Sequence, residues 1–248
     1  MKYLVLICTL LLVGCNQKII IDTEQKTDSR FYTSENDTLA GIVFNYPVIK
    51  NEGEIFASIN KEVNNILIGK RENNQYNTIQ KVQDGFIKEF SDFKKEFPES
   101  HQKWSVKQTM DIFYNNNNIL GISIDIYTYL GGAHPNTSET FFYYDLETGK
   151  KLKITDFFEK SKLRKLFRLA ENKFRKMNGF DEKTLYIDQG YFFDNGQLRL
   201  TDNFRLTKEG CKFVFNPYEI AIYAKGKTII KFEKSEINKF LKKEFRFK

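Results

Sequence analysis

Histidine and cysteine are scarce in this 248-residue chain, with two and three residues respectively. His101 and His134 lie 33 positions apart with no HxxxH or HxH pattern. A metal centre needs clustered His, Cys or carboxylate ligands, so none is expected. Three cysteines cannot supply a disulfide framework. Only 4 Pro and 14 Gly are present, which excludes collagen-like and proline-rich linker architectures. No G-x-S-x-G elbow occurs, and any nucleophile triad would have to borrow one of the two histidines as its base. His101 follows Pro98-Glu99-Ser100 after a helix end and reads as an exposed loop residue. Positive charge exceeds negative by only seven, 39 against 32. That is a mild bias towards anionic surroundings and no nucleic-acid signature. Aromatic residues are abundant instead: 24 Phe and 13 Tyr, within 41% hydrophobic content, argue for a folded core and against disorder.

The amino terminus reads as an export signal. Met1-Lys2-Tyr3 is a short basic start, and Leu4 to Val13 is apolar apart from Cys8 and Thr9. Such a run is too short to span a bilayer, which takes about 20 residues. Leu12-Val13-Gly14-Cys15 resembles the lipobox of bacterial lipoproteins. The resemblance implies cleavage before Cys15 and acylation of that residue, giving a membrane partner through a lipid anchor; the alternative is an ordinary signal peptide with an incidental cysteine. Two or three acyl chains would hold stably where one is marginal. The expected place is the cell envelope outside the cytoplasm, at the outer membrane or cell surface in preference to the cytoplasmic membrane. Export removes nucleic acid as a partner. The mature chain would carry net +6 and keep Cys211 as its one unmodified thiol. Residues 1–14 are thus expected to be a signal peptide and 15–38 a lipidated Cys with a polar tether.

The body changes period several times. Val43 to Ile49 reads as an opening strand, placed at an edge by Pro47. Ile55, Phe56, Ile59, Val63, Ile66 and Leu67 recur at helical spacing, and Ile79, Val82, Phe86, Phe90, Phe93 and Phe97 form a second stripe ended by Pro98. A helical phenylalanine stripe is core. From Val106 the period becomes two, through an Asn115–Asn118 turn into Leu120 to Thr128, which predicts a half-buried antiparallel hairpin. Thr140 to Leu146 continues the meander. Leu163 to Met177 restores a helix that stops at Asn178-Gly179. Phe204–Leu206 with Cys211–Phe215 makes another hairpin, Thr228–Phe232 a further strand, and Ser235 is expected to cap a closing helix with Ile237, Phe240 and Leu241. Cys211, in phase with Phe213 and Phe215, reads as a buried small hydrophobe. The fold class is α+β, with helices packed on a mostly antiparallel β-sheet and a closing C-terminal helix. Residues 39–147 are expected to form an N-terminal helix-plus-sheet half and 148–248 a C-terminal half.

Two constellations invite chemistry. The 163–177 helix carries Lys162, Arg164, Lys165, Arg168, Lys173, Arg175 and Lys176 away from its apolar face; this suits an anionic partner or simply a solvated helix face. Asp125 shares a strand face with Tyr127 and Tyr129, and Asp145 and Glu147 are placed near it across the sheet. A glycosidase needs two such carboxylates roughly 5 to 10 Å apart in a cleft. Acids on the polar face of a hairpin are usually only solvated, so the chain is not expected to be an enzyme, and no cofactor is implied.

Two loop segments are more specific. Tyr127-Thr128-Tyr129-Leu130-Gly131-Gly132-Ala133-His134 follows the alternating strand, and Phe213-Val214-Phe215-Asn216-Pro217-Tyr218-Glu219-Ile220-Ala221-Ile222-Tyr223-Ala224-Lys225-Gly226 precedes the last strand. Together they resemble the paired extracytoplasmic domains of unknown function found in RsiV-type anti-sigma factors, PdaC-type peptidoglycan deacetylases and many envelope lipoproteins, over roughly residues 40 to 245. The resemblance implies binding more than chemistry: in RsiV-type members this region is a receptor for lysozyme, and in the deacetylases catalysis belongs to a separate domain. It implies a lysozyme-like protein or a muropeptide as partner and Tyr129, Gly131, Gly132, His134, Pro217, Tyr218, Glu219 and Tyr223 as the contact residues. The family often has Pro where this chain has Ile222. Read as residues alone, the glycines permit positive φ and close approach, and the tyrosines serve equally as interface anchors or as core lids. A structural turn and a binding loop both remain open for the Gly-Gly-Ala-His segment. The competing readings are a wall-glycan hydrolase with paired carboxylates and a structural subunit of an envelope complex.

Overall fold

The computed structural model describes residues 19–34, 37–69, 76–116 and 118–247. The expected signal segment and Cys15 lie outside them. Among the described residues the strands form two sheets. The first has six strands in the order β1 (Thr23–Ser34), β2 (Asp37–Ile49), β3 (Trp104–Asn116), β4 (Ile119–Leu130), β5 (Asn136–Asp145) and β6 (Lys151–Leu152). Every neighbouring pair is antiparallel except β2 and β3, which run parallel with Ala40 to Asn45 beside Trp104 to Thr109. A parallel pair needs a long crossover. Here it carries α1 (Glu54–Ile68) and α2 (Ile79–Glu96). The second sheet joins β7 (Phe204–Leu206), β8 (Gly210–Phe215) and β9 (Thr228–Glu233). Around it lie α3 (Ile154–Phe157), α4 (Leu163–Asn178) and α5 (Lys234–Ile237). The α+β class read from the sequence is the class observed.

Local chemistry explains the helix ends. Thr78 caps α2, its hydroxyl accepting from the Lys81 N–H at 3.2 Å, and Lys94 and Lys95 stand at the negative end of the helix dipole. Gly179 ends α4 in the left-handed region at φ 69°, which a glycine adopts without strain. The closing helix is shorter than its apolar spacing suggests and is capped by Glu233, not Ser235. The Glu236 carboxylate accepts from the Glu233 N–H at 2.8 Å, and Phe240 and Leu241 are buried beyond the helix end.

Two expectations need correction. Residues 23–34 are no tether. They form edge strand β1, paired with β2 along its whole length, and Ile19 and Ile21 pack against the core just before it. This strand hides from periodicity because polar residues occupy both its faces; its main-chain hydrogen bonds and a few rim contacts hold it, such as the Tyr32 ring set edge-on to Phe90 at 5.2 Å. Consequently β2 is interior. Pro47 is tolerated there because the β3 pairing ends at Asn45, so on that side no ladder bond is asked of it.

The six-stranded sheet is buried from both sides at its centre, where Ile119 to Ile124 are all inaccessible. One face carries Ile42, Phe44, Met110, Leu120, Ile122, Ile124 and Tyr144 against α1 and α2. Trp104 sits among Phe86, Phe90 and Phe93 at centroid distances of 5.3 to 6.1 Å, so the phenylalanine stripe is core as read. Phe97, the last in the stripe, lies past the end of α2 and is half exposed. The opposite face is covered only around β4 and β5. There Ile119 and Tyr143 join a cluster with Phe157, Phe158, Phe174, Phe204 and Phe213. Cys211 is 3% exposed in this core, and burial pushes its thiol well above the ordinary value.

Candidate binding surface

The chain builds its surface where the C-terminal half meets the free edge of β5. β6 pairs with β5 only at Tyr143 and Tyr144, so the outward main-chain groups of Glu139 and Phe141 have no strand partner. Two asparagine side chains supply one. Asn203 Oδ1 accepts from the Phe141 N–H at 2.9 Å, and its Nδ2 donates to the Glu139 carbonyl at 2.7 Å. Asn216 Oδ1 accepts from the Glu139 N–H at 2.8 Å, and its Nδ2 donates to the same carbonyl at 3.1 Å. Each amide reproduces the donor and acceptor of a strand residue, and both asparagines are 7% exposed. Asn60 does the same on Ile49 at the end of β2.

Glu139 is therefore held by its main chain, and its carboxylate is held as well. Lys212 and Lys227 donate to its two oxygens at 2.7 and 2.9 Å. Burial alone would raise this carboxyl, but the two ammonium groups outweigh it and keep it below the ordinary range. Across the β4–β5 ladder Glu139 faces Asp125. Because the main chain of Glu139 bonds outward to the asparagines, the two form a non-hydrogen-bonded pair, in which opposing side chains lie closest. Asp125 keeps solvent on its outer side, yet desolvation and then the charge of Glu139 raise its carboxyl, with Lys227 and Lys212 offsetting part of that. Asp145 does not take this place. It pairs with Ile119, six residues along β4 from Asp125 and roughly 20 Å away at strand rise. Glu147 is in the turn beyond, where it accepts from Asn118 Nδ2 at 2.7 Å. An even-numbered step of strand separates the acids, so sharing a sheet did not bring them together.

The two loop segments do meet. The Tyr223 hydroxyl donates to the Pro135 carbonyl at 2.5 Å across 88 residues of sequence. The His134 ring stacks on Tyr223 with centroids 3.6 Å apart and planes 9° from parallel. Tyr218 stands 5.5 Å from Tyr223, and 57% of it is exposed. Its backbone has φ 70°. Pro217 and Tyr218 are the central residues of a turn closed by the Glu219 N–H to the Asn216 carbonyl at 3.1 Å. Positive φ at the second central position is glycine's or asparagine's place, so the exposed tyrosine is held there at a cost of about 1–2 kcal/mol. Glu219 supports the same turn, accepting from the Asn216 N–H at 2.9 Å and from its Nδ2 at 3.2 Å.

The remaining expected residues separate into two roles. Gly131 has φ 78°, and Gln102 occupies the space a Cβ would need, so this glycine is required by the fold. Gly132 has open space around it and no positive φ. Tyr129 is half-buried at the end of β4, opposite Ser105. Pro217 is half-buried in its turn. His134, Gly132, Tyr218 and Glu219 are thus the accessible members, with Tyr223 as their support. Asn203, Asn216, Glu139, Lys212 and Lys227 were not expected from the sequence. Asn216 lay inside the motif, but its role is visible only once the β5 edge is known.

Fold and surface together define a class: an α+β protein in which a helix-covered six-stranded sheet and a three-stranded C-terminal half join along one sheet edge. Family models place it further. Residues 33–137 match the model described as Deacetylase PdaC, and residues 155–235 match the one described as Protein of unknown function (DUF3298). The chain is thus similar to the first of these domains in its N-terminal part and to the second in its C-terminal part, in that order. Such domains are typically extracytoplasmic envelope domains. Among solved structures, a DUF3298 family member from Bacteroides fragilis NCTC 9343 is similar with a TM-score of 0.67 and 21% identity, covering 90% of this chain and 94% of that one. A DUF3298 family protein from Pseudomonas aeruginosa PAO1 is similar with a TM-score of 0.60 and 15% identity, covering 93% and 99%. At these identities the likeness is one of fold, and it spans both halves. No curated protein gives a significant match. Among the described residues, no helix is long and apolar enough to cross a membrane, and no group of three or more His, Cys, Asp or Glu is placed to hold a metal ion.

Proposed function

We propose that this chain is an envelope-side binding module, without catalysis of its own, whose partner is a lysozyme-like muramidase met at the His134–Tyr218–Tyr223 surface. The observation that carries the reading is the stack of His134 on Tyr223 beside an exposed tyrosine held at positive φ. A strained, solvent-facing aromatic is costly to keep and useful as a preorganised anchor, because tyrosine buries much area with few rotamers to fix. Gly132 leaves room for a partner's backbone beside it. Lysozymes are often basic, and this chain is net positive, so attraction must be local. Glu219, next to Tyr218 and exposed, supplies negative charge beside the aromatic group. Acylation of Cys15 belongs to the same proposal and would hold the body close to the bilayer, since three residues separate Cys15 from the packed Ile19 and each spans at most about 3.6 Å.

The alternative of a wall-glycan hydrolase now rests on Asp125 and Glu139, whose carboxyls shift in opposite directions as an acid and base pair would. Both oxygens of Glu139 are taken by lysines, which disfavours it as a base. Calorimetric titration of the full chain with lysozyme, and separately with purified muropeptides, tests both readings. Saturable lysozyme binding that is lost in Tyr218→Ala and Gly132→Trp, with folding intact, is expected. Muropeptide binding without lysozyme binding would replace the partner, and muropeptide cleavage abolished by Asp125→Asn would overturn the non-catalytic reading.

A further inference from the structure

The basic face of α4 separates into two parts. Lys173 is paired with Glu236 at 2.7 Å, and Arg175 is bound to Glu171 and to the Asp181 and Thr184 carbonyls while lying over the Tyr186 ring. Those charges hold the fold. Lys165 and Arg168 make no salt bridge among the described residues and are exposed. With Lys162 they step along one side of the helix by three residues at a time and line a cavity of about 560 Å³. Lys239 lines its other side, Leu169 and Phe240 give it apolar wall, and Asn172 is the one neutral polar residue there.

Four cations and no carboxylate line this space. The groups that face them are few, and Glu236, already bound to Lys173, also feels the charge of Lys239. Lys162 Nζ donates to the Lys239 carbonyl at 2.9 Å and lies 3.6 Å from Glu159, whose charge is shared with Arg246. Lys239 Nζ sits 5.3 Å from the Phe240 ring centroid. Like charges gathered round one cavity repel, and a bound dianion would turn that repulsion into attraction. The guanidinium offers a planar fork to phosphate oxygens and the lysines offer point charges. The volume exceeds what a bare phosphate fills, and the apolar wall suits a short hydrocarbon portion.

We propose that this cavity is a binding site for a phosphate ester bearing a small apolar part. The ester could come from a glycerophospholipid headgroup or from a soluble glycerol or sugar phosphate. Titration of the full chain with glycerol 3-phosphate, and with dihexanoyl phosphatidylglycerol below its micelle-forming concentration, distinguishes these sources. Saturable binding is expected, weakened about tenfold or more in Lys165→Glu/Arg168→Glu, the loss that follows removal of charge-assisted contacts. Lys176→Glu, an exposed change on the same helix outside the cavity, should leave it unchanged. Tighter binding of the short-chain lipid assigns the site to a headgroup, and equal binding of the two assigns it to the soluble ester. Absence of saturation with both ligands, or equal weakening by Lys176→Glu, overturns the proposal. Lys165→Gln/Arg168→Gln guards against a misfolded charge reversal, since it must show the same loss with an unchanged melting temperature.

Discussion

The two faces of the six-stranded sheet are closed by different chemistry. On one, α1 and α2 lay Ile59, Val63, Val82, Phe86 and Phe90 onto aliphatic and aromatic strand residues such as Ile42, Phe44, Leu120 and Ile122, and the contact is mainly apolar. On the other, aromatic rings fill the middle while asparagine amides finish the β5 edge, and the hydroxyl of the buried Tyr143 accepts from the Leu206 N–H at 2.9 Å. The first arrangement tolerates small slips because dispersion has no direction. The second fixes register, because each amide must meet one donor and one acceptor. The surface proposed to bind a partner hangs on the second face. Its precision follows from that.

Substitutions can break this contrast. Phe90→Ala, in the wholly buried centre of the helix face, should cost about 3–5 kcal/mol in chemical denaturation while leaving partner binding per folded molecule unchanged. Asn203→Leu removes no volume to speak of but orphans the Phe141 N–H; it should cost about 2–3 kcal/mol and also weaken partner binding. If Asn203→Leu proves neutral, the seam is held by packing alone.

Glu139 and Asp125 sharpen the comparison through pH. Glu139 has a lowered folded-state carboxyl, so its contribution is present above the ordinary glutamate value of 4.5 and is lost as pH falls through the folded value. Glu139→Gln should therefore destabilise at pH 7, by about 2 kcal/mol, and flatten the acid limb of the stability curve. Asp125 is shifted the other way, and its ionised form costs stability above its ordinary value of 3.8. Asp125→Asn should raise the melting temperature slightly at pH 7 and lose that advantage in acid. Melting curves of both variants from pH 3 to 7 give the signs directly, and the same sign for the two would refute the opposing shifts. The smallest effect is expected at the turn. Tyr218→Gly relieves the positive φ at some cost in chain entropy, so stability should stay level or rise by up to about 1 kcal/mol while lysozyme binding is lost.

What the sequence made legible was whatever repeats at short range. The helix and hairpin periods of α1, α2, β3 and α4 reflect one buried face each, and the observed elements follow them closely; β4 was read as half-buried, but over Ile119 to Ile124 both of its faces are covered. β1 could not be read that way, since Glu24, Lys26, Asp28 and Arg30 alternate with Gln25, Thr27 and Ser29 and neither set is apolar. The parallel β2–β3 pairing was equally hidden, because it depends on where a 54-residue excursion returns and no local pattern records that. For the surface, the resemblance brought the two loops together before the structure did. The acid beside Asp125 was misplaced because facing residues are set by register, and register puts Glu139 there in place of Asp145.

The strand at each border of the large sheet has a further consequence. An open border is a template on which another chain can grow, the first step towards fibrils and clumping. At one border Asn203 and Asn216 occupy the β5 main chain, and at the other β1 carries Glu24, Lys26, Asp28 and Arg30 turned towards the helix-covered side, where an added strand would have to bury them. Under the proposed acylation of Cys15, copies of the chain would meet one another constantly in two dimensions on the bilayer. A sheet sealed by amides at one end and guarded by charge at the other can endure those meetings without polymerising.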